Sequence, residues 1–131
     1  MWAEIVEQGT GFPVQVAARR AAAEAWLHVT PLGTPAEPIA VAGRKLHRGE
    51  TEVIRLGQQL HAGVLLMDDR RAVVQARAMG LRVAPTVAIY IQARRRGLIP
   101  NVKAKVAQLR AAGFRLTDQD WRAVLAVAGE L

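Results

Sequence analysis

The stretch GETEVIRLGQQLHAGVLLMDDRRAVVQARAMGLRV, residues 49–83, decides how this chain of 131 residues is read. Val53, Ile54, Gly57 and Leu60 recur along one stripe at a 3.6-residue period, so residues 50–61 are expected to be helical. Residues 63–67 (GVLLM) are short, continuously apolar and bounded by Gly and Asp. That is the pattern of a parallel strand buried on both faces. Asp69 can cap a following helix over residues 70–79, which Gly80 ends, and residues 81–84 form the next short strand. Helix, strand, helix, strand is the order of an α/β fold around a small parallel sheet.

The negative charges of this stretch are Glu50, Glu52, Asp68 and Asp69, and all four fall where elements join. In an open α/β sheet the ligand crevice lies beyond the carboxyl ends of the parallel strands, so acids there are candidates for metal or substrate contact. Glu50 and Glu52 lie in a first helical turn, where the dipole stabilises each by about 0.3–1 kcal/mol with no function required. Glu50 shares the inward face of Val53 and Ile54 and is the better site candidate; Glu52 points elsewhere. Asp69 has a sufficient task as a cap, whereas Asp68 ends a strand and has no evident structural task. Mg²⁺ is held by one or two carboxylates plus water and phosphate. Two such ions about 3.5–4 Å apart clamp phosphodiester chemistry. Converging acids beside a basic surface would suit a metal-dependent nuclease.

Outward from this stretch the chain is strongly basic, with a net charge of +7. Eleven cations lie between Arg70 and Arg115, with no acid among them. A field of one sign suits polyanions, nucleic acid first. The plainer alternative is a solvated surface in an arginine-biased proteome, since Arg outnumbers Lys fifteen to three. Aromatic residues are 5% of the chain, so no ladder for stacking successive bases is visible. There is no cysteine, which excludes disulfides and cysteine zinc sites and fits a reducing cytosol. No apolar run approaches the ~18–20 residues of a membrane span, and the start, MWAEIVEQG, is not that of a signal peptide. The length and the 51% apolar content point to one domain over residues 1–131, cytoplasmic and without membrane contact. His28, His47 and His61 show no metal-binding spacing, and no Gly-rich phosphate loop or GxSxG is present.

Residues 1–7 are expected to form a helix with Trp2 and Ile5 on its apolar side, and residues 8–13 a Gly/Pro turn. Residues 14–25 are helical and residues 26–29 (WLHV) a short strand. Residues 30–48 hold half of the six prolines and read as a surface connection with one helical turn at 39–42. Pro85-Thr86 opens a helix closed by Arg94-Arg95-Arg96-Gly97, basic residues and Gly being a stop signal. Residues 102–112 form another helix ended by Gly113. Thr117-Asp118-Gln119-Asp120 starts a last one, with Trp121, Val124, Leu125 and Ala128 facing the core.

GETEVI, GVLLMDDRRA, GLRV, RRRGLIPNV and LRAAGFRLTD, in this order, resemble the PIN-like family. More narrowly, they resemble a bacterial and archaeal branch akin to the ribonuclease toxins of toxin–antitoxin pairs. The resemblance covers most of the chain and begins at Trp2-Ala3-Glu4-Ile5-Val6. It implies a three-layer α/β/α sandwich with a small central parallel sheet, and an acidic cluster binding Mg²⁺ or Mn²⁺ for RNA hydrolysis. The matching catalytic positions would be Glu4, Glu50 (or its neighbour Glu52) and Asp68, with Glu50, Asp68 and Asp69 as metal ligands. Arg70, Arg71, Arg94, Arg95 and Arg96 would hold the RNA backbone. The family pattern opens with a hydrophobic strand ending in a metal-ligating Asp, and this chain starts at the helix after it. Pro85-Thr86 also stands where relatives have Gly-Thr. The resemblance therefore implies an N-terminally truncated, catalytically impaired form. The alternative is a non-catalytic remnant that binds RNA or an antitoxin protein and pairs with a second copy of itself through exposed strand edges.

Overall fold

A computed structural model describes residues 13–131. They divide into two compact units, the first ending at Gly63 and the second running from Val64 to Leu131.

In the first unit Pro13 opens helix α1 (Pro13–Ala23), a place where its missing N–H costs nothing. The chain leaves α1 through Ala25 at φ +60°. The strand expected at residues 26–29 is not formed: these residues are bend and coil, with Trp26 70% exposed. The helical turn expected at 39–42 is also absent. In its place is an antiparallel hairpin, β1 (Ala40–Val41) with β2 (Arg44–Lys45). Ala42 and Gly43 turn it with φ +50° and +76°, and positive φ at both central residues is what the tight primed turn demands. Ile39 and Leu46 flank the hairpin, are buried, and are joined by the Leu46 N–H donating to the Ile39 carbonyl at 2.8 Å.

Helix α2 (Arg48–Gln59) follows. Its buried face is Thr51, Ile54 and Gly57, rotated from the expected stripe, because Leu60 is half exposed and Val53 only partly covered. The Gln59 side chain receives the Gly33 N–H at 2.9 Å and donates to the Pro31 carbonyl, tying the proline-rich connection to α2.

In the second unit, β3 (Leu65–Leu66) and β4 (Val83–Ala84) pair in parallel around helix α3 (Arg70–Ala78). This is the expected crossover, and the fold class is α/β. The strands are shorter than expected. Burial alternates: Leu65 and Met67 are buried, while Val64 and Leu66 are each 50% exposed. Burial on both faces is thus corrected. Among the described residues the sheet has only two strands, and one face of it keeps solvent contact.

Asp69 caps α3, accepting the Arg71 and Ala72 N–H groups at 2.9 Å, and Gly80 ends it at φ +79°. Helices α4 (Val87–Arg95), α5 (Val102–Ala111) and α6 (Asp118–Ala128) pack together. Val87, Val102, Val106 and Val124 make their core, with Tyr90, Ile91, Phe114 and Trp121 against it. Asn101 and Thr117 cap α5 and α6 through Ala104 N–H and Asp120 N–H. No described helix is long and apolar enough to cross a membrane.

Candidate functional site

Asp68 stands two residues beyond the end of β3 and Thr86 two residues beyond the end of β4. The strands pair Leu65 with Val83 and Leu66 with Ala84, an offset of 18. Asp68 and Thr86 share that offset, so the register sets them side by side at the carboxyl ends of both strands. The Thr86 N–H donates to Asp68 Oδ1 at 2.8 Å, and the Thr86 hydroxyl donates to Asp68 Oδ2. Thr86 is the N-cap of α4, yet its hydroxyl makes no cap bond and its backbone is already helical (φ −53°, ψ −37°). The hydroxyl is turned back to Asp68 instead. Asp68 therefore has a structural task that the sequence does not disclose: it satisfies an orphan N–H at the start of α4 from 18 residues away.

The two adjacent acids thus serve two different helices, Asp69 the start of α3 and Asp68 the start of α4. Asp69 takes both of its backbone bonds on Oδ1. Asp68 takes one bond on each oxygen, of the four lone-pair sites a carboxylate offers. Both residues are exposed, as are Arg70 and Arg71, which open α3 next to them.

Glu50 lies in the first unit. Its Oε2 accepts the His47 N–H at 2.9 Å, so Glu50 serves the start of α2. Glu52 pairs with Arg48 at 2.7 Å, and that bond holds its carboxyl below the ordinary range. Glu4, the helix of residues 1–7, and the turn before Pro13 lie outside the described residues. Among the described residues no three His, Asp or Glu side chains gather as a metal-binding group. What the second unit offers a divalent cation is the exposed Asp68 carboxylate, oriented by Thr86, with Asp69 one residue on. That is enough for an ion held through one or two carboxylates with water and phosphate. It is not the donor set of a two-ion centre.

Arg94 and Arg95 close α4, and Arg96 follows. All three are exposed. Helix α4 has nine residues and so rises about 13 Å from the Asp68–Thr86 end to this basic end. Arg94 Nε is 3.8 Å from Glu130 Oε1. Glu130 caps α5 from the far end of α6, a role that no local signal in the sequence discloses. Its carboxylate accepts the Val102 N–H at 2.8 and 3.0 Å and the Lys103 N–H at 2.8 Å. Those amides, Val102 first, hold its carboxyl below the ordinary range. Thr86 also reads in the sequence only as a helix start, because its bond to Asp68 depends on the register of β3 and β4.

Parallel strands crossed over by a helix, with two acids past the end of β3, make the second unit an α/β domain whose open crevice lies beyond the carboxyl ends of its strands. The PIN domain family model matches residues 1–130, and the chain belongs to the PIN domain family. No curated relative and no solved structure matches it significantly. A nuclease-like, nucleic-acid-binding fold follows from the family, as does the general use of divalent metal ions by PIN domains.

Proposed function

We propose that this chain is a cytoplasmic, RNA-binding PIN domain of the toxin–antitoxin ribonuclease kind, working as one domain and weak in catalysis. The observation that carries this reading is the Asp68–Thr86 junction. It sets an exposed carboxylate, with acceptor capacity left, at the carboxyl ends of β3 and β4 and beside Arg70 and Arg71. A bound Mg²⁺ or Mn²⁺ would activate water and neutralise phosphate charge there. The protein's own part is to orient Asp68 through Thr86 and to hold the RNA backbone with Arg70, Arg71 and Arg94–Arg96. The test is cleavage of a structured RNA with Mg²⁺ or Mn²⁺ by the wild-type chain and by Asp68→Asn. Cleavage that is slow but clearly above that of the variant supports the reading. Equal rates in the two proteins sink it.

A second reading is favoured by the capping roles of Glu50, Asp68 and Asp69, which give each acid a structural reason to be present. The domain would then bind RNA or an antitoxin protein without cleaving, and the half-exposed Val64 and Leu66 would support a homodimer. Binding to RNA should weaken steeply with salt, with a log–log slope of about −0.7 per phosphate contacted on a single strand. Light scattering on the gel-filtered protein reads the dimer, and a strictly monomeric peak at micromolar concentration argues against it.

A further inference from the structure

Helices α4, α5 and α6 leave an open groove of about 500 Å³ in the second unit. Its bed is made of methyl groups, Ala104 and Ala107, both exposed on α5. The Trp121 indole borders it, and that ring also carries the Arg110 guanidinium 5.5 Å from its centroid. The polar end holds Arg94 and Lys103. Glu130 lines that end too, with its carboxylate engaged by the Val102 and Lys103 amides.

An apolar bed with an aromatic wall and cations at one end fits a specific ligand chemistry, a flat ring joined to an anion. The cations at its polar end argue the same way, because the Glu130 charge beside them is already met by the Val102 and Lys103 amides. Bases pack on aromatic side chains without regard to sequence, and cations take the phosphate. The groove borders the Arg94 end of α4, away from the Asp68 junction. We propose that it is a nucleotide subsite for single-stranded RNA, the base against Trp121 and the Ala104–Ala107 bed and the phosphate at Lys103 and Arg94. The proposal rests on the nucleic-acid reading above and adds a site which that reading does not require.

The test uses the full chain carrying Trp2→Phe and Trp26→Phe, so that Trp121 alone emits. Unlabelled oligouridine is titrated against its emission, and a fluorescein-labelled copy reports total binding by anisotropy. Expected are saturable quenching of Trp121 in step with the anisotropy, and its loss in Ala107→Leu, whose side chain fills the bed. Ala107→Leu should also bind about tenfold more weakly. Lys103→Ala should flatten the log–log salt slope by about 0.7. Ala111→Leu, exposed on α5 outside the groove, should bind normally and shows that a leucine on this helix is tolerated. Rising anisotropy with unchanged Trp121 emission, and wild-type affinity in Ala107→Leu, would overturn the subsite while leaving the nucleic-acid reading intact. No anisotropy change at low salt would overturn both. Ala107→Leu that spares RNA binding but abolishes self-association would make a second copy of the chain the occupant, and the proposal wrong.

Discussion

Replacing Thr86 with valine keeps the shape of the side chain and removes one donor, so it isolates the hydroxyl that holds Asp68. The backbone bond from Thr86 N–H to Asp68 Oδ1, at 2.8 Å, survives the change. A hydrogen bond to a charged group is worth about 1.5–3 kcal/mol, but Asp68 is exposed and water can replace the lost donor, so about 1 kcal/mol is the expected cost. Unfolding entropy near 2.1 cal/mol/K per residue then gives a fall in Tm of about 4 °C for a chain of this length. The functional cost should be larger. A group that orients a metal ligand typically carries ten- to a hundredfold in metal affinity or activity, so Mn²⁺-dependent RNA cleavage should fall by about that factor. Thr86→Ser, which keeps the oxygen, should recover most of both losses. The decisive measurement is a double-mutant cycle with Asp68→Asn, read by urea denaturation. If the two changes add within about 0.3–0.5 kcal/mol, the residues do not communicate and the reasoning fails.

Three further outcomes are expected. Glu130 has its carboxyl held low by the Val102 and Lys103 amides, so its contribution to stability is in place above pH 4.5 and is lost as pH falls through its depressed folded value. Glu130→Gln should flatten that acid limb in a pH series followed by circular dichroism; an unchanged limb would deny the cap. Ala42→Gly should stabilise the protein by up to about 1 kcal/mol in urea, because Ala42 sits at φ +50° where glycine has no steric penalty. A loss of stability would mean that the hairpin turn is not left-handed. Thr51→Val should gain about 1 kcal/mol, since the Thr51 hydroxyl is buried with no hydrogen-bond partner. A destabilised variant would show that the hydroxyl has one.

The second unit was largely legible in the sequence, and the reason is local. Asp69 at the start of α3, Gly80 past its end, Arg94-Arg95-Arg96-Gly97 closing α4 and Thr117 before α6 are signals read within one helical turn, and each does in the structure what its chemistry dictates. The first unit hid its hairpin because each strand is two residues long and the turn places alanine, not asparagine or glycine, at a left-handed position. Trp26-Leu27-His28-Val29 has strand composition, but strand residues need a ladder partner, and Ala25 turns the chain without supplying one. The bond from Thr86 to Asp68 was out of reach for a different reason. It depends on parallel register across 18 residues, and periodicity within a window does not report register.

The placement of acids at element junctions was the sequence's best functional clue, and the structure shows why that clue is ambiguous. In five of the six described helices a carboxylate sits at the amino-terminal end: Glu50 on α2, Asp69 on α3, Asp68 on α4, Glu130 on α5, Asp118 and Asp120 on α6. Negative charge there is stabilised by the unsatisfied N–H groups whether or not a ligand ever binds. Capping and ligation are nonetheless compatible where the cap leaves lone pairs to spare. At Asp68 and Asp69 two helix starts meet the carboxyl ends of two strands, and neither cap exhausts its carboxylate. An amide at position 68 could still accept from Thr86 through its single carbonyl oxygen while losing the charge a cation needs. Asp68→Asn should therefore leave α4 in place and RNA affinity intact or slightly raised, since one negative charge leaves the path of the phosphates. Only the metal-dependent step should disappear, and a variant that instead unfolds would show that the acid is there for the helix alone.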